Sequence, residues 1–143
     1  MKLKKEFVDE VYNGFIESIE WAEKVSVRPS TSLVEVEGEW ASVDKVGLPI
    51  NKSDLKKIRR FVKGVLPQFT EEDISEYLKT RGAFGDGLNY FGHDLYLSCA
   101  GHGTGFWDRG LKELGTRLHN VCKLNRFSCY LYVYRNQIRI EIA

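Results

Sequence analysis

The sequence predicts an α+β fold: a three- or four-stranded, largely antiparallel sheet with helices packed on one face, preceded by an N-terminal helix. Three observations lead there. Several segments repeat apolar residues at three-and-four spacing, and the C-terminal stretch alternates apolar and polar residues twice across a short turn. The composition, 43% hydrophobic and 29% charged, is that of an ordinary globular chain. A length of 143 residues suits a single α+β domain over 1–143. Residues 1–28 are readable as an appended helix, because Arg28 to Ser32 has the composition of a turn or linker.

Taken in order, residues 3–24 form the first helix, with Phe7, Val11, Phe15, Ile19 and Ala22 on one face and acids on the others. Leu33 to Glu37 alternates as a strand that Gly38 ends, and Ala41 to Ile50 reads as loop. Ser53 is the expected N-cap of a second helix over 53–65, which Pro67 stops. Thr70 with Asp73 opens a third, short helix containing Ile74, Tyr77 and Leu78, with Gly82 suited to its end. Residues 83–92 are glycine-rich and read as an exposed connection. Residues 94–99 alternate Leu95, Leu97 and Cys99 against Asp94, Tyr96 and Ser98, as a half-buried strand does. A glycine loop over 100–106 leads to a fourth helix over 107–122, carrying Leu111, Leu114, Leu118, Val121 and Cys122. Strands over 129–134 and 137–142 close a hairpin across Arg135-Asn136, where Asn tolerates the left-handed backbone of a tight turn.

Charge and cysteine content narrow the function. A net charge of +1 excludes a strongly basic protein, so nucleic-acid binding would need a local patch. No apolar run approaches the roughly 18 residues of a membrane span, and the charged N-terminus has no apolar signal region. Cys99, Cys122 and Cys129 show no C-x-x-C spacing, which predicts free thiols in a reduced, cytoplasmic protein without a zinc finger. Aromatic residues, at 13%, imply either a dense core or a surface that binds something flat.

The densest chemical signal begins at His93 and Asp94 and continues through Gly101, His102, Gly103, Thr104, Gly105, Phe106, Trp107, Asp108 and Arg109. Alternating glycines let a ligand approach the backbone, and a following helix N-terminus favours an anion. Arg109 offers a fork of donors for phosphate or carboxylate, while Phe106 and Trp107 offer rings for stacking. The bland alternative is that the glycines make turns, Asp108 caps the helix, Trp107 fills the core and His102 satisfies loop carbonyls. His93, Asp94, His102 and Asp108 also have ligand chemistry, but without H-E-x-x-H or cysteine pairing no metal site is predicted. Cys99 reads as a buried structural thiol rather than a nucleophile. No Walker loop, nucleophile elbow or dinucleotide fingerprint is present, so no cofactor and no catalytic residue is assigned. A second signal is cationic: Lys52, Lys56, Lys57, Arg59, Arg60 and Lys63 crowd one helix against Asp54 alone. That face suits a phosphate backbone or an acidic partner, unless it is simply solvated or neutralised by the acidic first helix.

Gly92-His93-Asp94-Leu95-Tyr96-Leu97 followed by Gly101-His102-Gly103-Thr104-Gly105-Phe106-Trp107-Asp108-Arg109-Gly110 resembles a signature of small bacteriophage proteins of unassigned function. Theirs reads G-H-D-F-W-L-x-x-N-G-H-G-x-G-F-W-D. Glu39-Trp40-Ala41-Ser42-Val43-Asp44 is similar to that family's A-L-W-S-S-x-D segment, and Leu131-Tyr132-Val133-Tyr134 to its hairpin. Ala100 stands where the family has Asn, and Arg135-Asn136 replaces its acidic turn. The resemblance covers about residues 39–143 and implies an accessory phage protein that acts by binding in the host cytoplasm. The expected function is therefore a non-enzymatic binding protein taking an anionic, nucleotide-like small molecule at the loop 101–110. The alternatives are a protein that binds a host protein or DNA through the basic helix, and a metal-dependent hydrolase using His93, Asp94 and His102. No membrane partner is expected.

Overall fold

The chain forms helices on one face of a four-stranded sheet, seen in a computed structural model that describes residues 4–27, 40–81 and 86–143. The strand expected at 33–37 and the helix end at Gly82 lie outside those residues. In order, the elements are α1 (Lys5–Ala22), β1 (Lys24–Ser26), β2 (Trp40–Ser42), α2 (Val43–Val46), α3 (Lys52–Val65), α4 (Glu71–Arg81), α5 (Gly87–Ala100), α6 (Glu113–Leu124), β3 (Cys129–Tyr134) and β4 (Gln137–Ile142). The sheet runs β2-β1-β3-β4, with β1 parallel to β3 and the other two pairs antiparallel. The α+β class therefore holds, with a mixed sheet.

The hairpin forms where the alternation placed it, in a register pairing Cys129 with Ile142 and Tyr134 with Gln137. Arg135 and Asn136 both take positive φ, the geometry whose twist matches the flanking strands. Val25, Ala41, Leu131, Ile138 and Ile140 bury the inner face of the sheet. The helices supply Val8, Val11, Phe15 and Ile19 from α1, Ile58, Val62 and Val65 from α3, and Leu114, Leu118 and Cys122 from α6. The first helix is thus a wall of the core and not an appendage. It owes that place to close contact with α5, where Gly14 and Gly92 let the two backbones touch.

Four expectations are corrected. Residues 94–99 are helical, not a strand, and 87–92 belong to the same helix. α5 is enclosed on nearly every side, so apolar residues fall at consecutive positions; Leu95, Leu97 and Cys99 then imitate a two-residue period. The helix expected at 107–122 begins only at Glu113, because residues 106–108 make a separate 3-10 turn. Asn51, not Ser53, caps α3, its Oδ1 accepting the Asp54 amide at 3.1 Å. The stretch from Ala41 to Ile50 that read as loop holds most of β2 and all of α2, and β1 starts at Lys24, the last residue of the expected first helix, since three residues are too few to show alternation. Thr70 does cap α4, accepting the Asp73 amide at 3.1 Å.

The aromatic residues divide between interior and surface. Phe15, Phe61, Tyr96 and Phe127 make one internal cluster, with centroids 4.9–6.0 Å apart. Phe69, Tyr77, Phe91 and Phe106 make a second, at 5.0–6.2 Å, mostly edge to face. Trp40, Tyr130 and Tyr134 remain exposed on the outer face of the sheet.

Candidate functional site

The residues of the α5–loop motif are joined to one another. Asp94 is 1% exposed, and its Oδ2 accepts the Tyr77 hydroxyl at 2.6 Å while its Oδ1 accepts Arg109 Nε at 3.0 Å. Arg81 adds a second guanidinium at 3.8 Å. Burial, then the neighbouring Asp94 charge, pushes the Tyr77 hydroxyl far above its ordinary value, so it stays a donor. Two helices and the loop are thereby tied to one buried carboxylate.

The glycines follow from this packing. Gly101 has φ +73 and ends α5 with the paired 5→2 and 6→1 bonds of a left-handed cap: its amide donates to Ser98 O and the His102 amide to Leu97 O. Gly105 has φ +137, and a Cβ there would stand 2.2 Å from Ser98 Oγ. Ser98 Oγ in turn accepts the Phe106 amide at 3.1 Å, seating the Phe106 ring in the core. Asp108 accepts the Gly105 amide at 2.9 Å and the Thr104 hydroxyl at 2.6 Å, bracing the loop. Desolvation opposes its charge, but these two donors and Arg109 hold its carboxyl below the usual range.

His93 and His102 point elsewhere. His93 Nε2 lies 3.1 Å from Glu17 Oε2, and His102 Nε2 lies 3.0 Å from Glu23 Oε2, both carboxylates borne by or adjoining α1. Glu17 is held below its ordinary value by bonds from His93 and Asn89. Glu23 also accepts the Tyr96 hydroxyl at 2.5 Å. The two histidines thus dock α5 and the loop onto the first helix, whereas Asp94 and Arg109 face α4. Among the described residues no three His, Cys, Asp or Glu side chains converge as ligands for a metal ion. The three cysteines are free, with Cys99 and Cys122 fully buried. Burial raises the Cys129 thiol to about 11.

Trp107 corrects the expectation that it fills the core: it is 53% exposed, and the neighbouring Phe106 is the buried ring. Trp107→Ala should therefore change stability by less than about 1 kcal/mol. A urea midpoint shifted by more than that would show that the indole anchors the loop.

The cationic helix is α3. At ~100° per residue, Lys52, Lys56, Arg60 and Lys63 occupy the side opposite Asp54, Ile58, Val62 and Val65, which are buried, and Lys57 and Arg59 stand on its two flanks. Asp54 turns inward, where Oδ2 accepts Arg139 Nε at 2.7 Å and the Ile140 amide at 3.0 Å. Burial opposes the charge on Asp54, but Arg139 and that amide hold its carboxyl below the usual range. The acidic first helix neutralises only Arg59, through Asp9. Lys52, Lys56, Lys57, Arg60 and Lys63 are exposed, and among the described residues no carboxylate lies within ion-pairing distance of them.

A further surface escaped the sequence reading. Trp40 from β2 and Tyr130, Tyr132 and Tyr134 from β3 share the outer face of the sheet, flanked by Lys24, Ser26, Gln137, Arg139 and Glu141. Trp40 meets Tyr130 edge to face at 5.9 Å, and Tyr130 stacks on Tyr132 at 5.9 Å and 28°. The available signal was aromatic residues at every second position of β3, on the strand side that a half-buried sheet usually leaves polar. Elsewhere, a groove of about 530 Å³ between α1 and the 43–55 segment is lined by Ile16, Leu48, Ile50, Glu17 and Glu20 among others. Burial, then the charges of Asp44 and Glu17, raises the Glu20 carboxyl. No known protein family matches the chain, and no curated protein or solved structure gives a significant match.

Proposed function

We propose that the chain is a non-catalytic binding protein that holds nucleic acid through the cationic face of α3. An accessory role of this kind in a host cell belongs to the same proposal. One observation carries the reading: five exposed cations on one side of α3, with the helix's sole acid turned inward onto Arg139. A patch of this kind gives a nearly neutral chain a local polyanion site. The loop 101–110 supports the small-anion reading less well. Arg109 is engaged by Asp94, and the nearest long helix starts at Glu113, beyond the glycines.

The test is salt dependence. Each phosphate contact releases counterions, so affinity for an oligonucleotide should fall by a power of salt of roughly 0.7–0.9 per contact. Reversing Lys56, Lys57 and Arg60 together to Glu should weaken binding by at least about tenfold and lower that slope by about 2. The denaturation midpoint should hardly move, because these side chains keep their charges in water. Unchanged binding in the folded variant, or no oligonucleotide binding at all, would exclude this role for α3. Binding only to an acidic protein would transfer the surface to a protein partner.

A further inference from the structure

We propose that the outer face of the sheet is a base-stacking platform, which makes the preferred ligand single-stranded nucleic acid. The inference extends the reading of α3 as a phosphate-binding helix but rests on a different surface. The helices cover only the inner face, leaving Trp40, Tyr130 and Tyr134 at 51%, 45% and 49% exposure, with Tyr132 half-buried among them. Four rings on two strands, in a chain whose core already contains two aromatic clusters, are not needed for folding by their exposed parts.

The geometry suits separated bases. Alternate residues of β3 stand about 6.5–7 Å apart along the strand, enough for a base to lie against one ring beside the next. Tyr130 and Tyr132 are already nearly parallel, with centroids 5.9 Å apart, so the row is set for stacking. Ser26 and Gln137 place polar groups between and beside the rings, where base edges would fall. Arg135 sits over the Tyr134 ring at 5.1 Å, adding a cation at the hairpin end of the row. A duplex hides its base faces inside the stack, so such a platform discriminates in favour of a single strand.

The two surfaces meet. Arg139, on the outer face, reaches Asp54 in the first turn of α3, and Gln137 accepts a bond from Asn51 at 2.8 Å. A strand whose bases lie on the tyrosines can therefore lead its phosphates off the β4 side towards Lys52 and Lys56.

The experiment compares a fluorescent oligothymidine with a duplex of the same length, using the full chain and the variants Trp40→Ala, Tyr130→Ala and Tyr134→Ala. The expected result is a loss of about fivefold or more in single-strand affinity per truncation, as removal of a base-stacking ring gives. The salt slope and duplex affinity should stay unchanged, and Trp40→Phe should recover much of the binding. Circular dichroism and denaturation midpoints establish that each variant is folded. Should one not be, the Trp40→Phe and Trp40→Leu pair keeps the comparison, since both are apolar and only one stacks. Equal affinity for duplex and single strand, or aromatic variants that bind like the parent, would overturn the platform while leaving the α3 reading intact. Single-strand binding that survives charge reversal on α3 but not ring truncation would do the converse. A dimer in light scattering that the same truncations dissolve would also overturn the platform, by assigning the face to a second copy of the chain.

Discussion

Replacing Asp94 by alanine is expected to destabilise the protein by about 1–3 kcal/mol, chiefly the cost of leaving the buried Tyr77 hydroxyl without its acceptor. The carboxylate is 1% exposed and accepts both the Tyr77 hydroxyl and Arg109 Nε. Without it, Tyr77 loses the partner of a fully buried hydroxyl, and two partly exposed guanidiniums lose the carboxylate they share. Asp94→Asn keeps the shape and one acceptor, so it should cost less than alanine but more than an ordinary surface change. Urea unfolding followed by circular dichroism gives both numbers. A loss under about 1 kcal/mol for alanine would mean that the arginines find water instead, and that the cluster is open. An Asp94/Arg109 double-mutant cycle should show coupling between the two positions, since they are in direct contact.

Gly92→Ala should be comparably harmful, at or above the top of the roughly 1–3 kcal/mol typical of overpacked cores. A Cβ there would lie 2.1 Å from Val11 O and 2.8 Å from Phe15 N, and backbone atoms of a helix cannot step aside singly. The relief is for α1 and α5 to part. That would open the Phe15–Tyr96 contact and the contacts of Tyr96 and His102 with the Glu23 carboxylate, which accepts the Tyr96 hydroxyl. Gly64 is the internal control: nothing lies within 4 Å of a Cβ built on it, and it sits on the exposed side of α3. Gly64→Ala should instead stabilise by about 0.5–1 kcal/mol, the usual helix preference. Equal thermal midpoints for the two variants would refute the account of the α1–α5 contact.

These two residues show how much the sequence disclosed. The motif around His93 and Asp94 was legible as a concentration of unusual residues, and its reach into the loop was legible too. Its purpose was not, because the partners of Asp94 and Gly92 come from α4 and α1, far away in sequence. A lone sequence does not show that Tyr77 or Val11 faces them. The amphipathic helices and the hairpin declared themselves, since each shows water one face and the core another. α5 did not: a helix buried on nearly every side has little polar surface to betray its period. Trp107 and Phe106 are adjacent rings, and it is the Phe106 amide that donates to Ser98 Oγ and the Phe106 ring that lies inside. The outer-face aromatics were hidden for a similar reason. Tyr130, Tyr132 and Tyr134 read as ordinary strand residues until β2 brings Trp40 beside them.

The engagement of α3 with β4 has a consequence for polymerisation. An open sheet normally ends in a row of unpaired amides and carbonyls that can recruit a strand from another molecule. Here the Ile140 amide is taken by the Asp54 carboxylate. Ile138 donates to Pro49 O at 2.8 Å and accepts from Asn51 at 2.9 Å. The longest outer strand is thus stitched along its free side by the lead-in to a helix. Fibril-like growth by edge-to-edge addition is blocked on that side of the sheet, although the face beside it carries four aromatic rings.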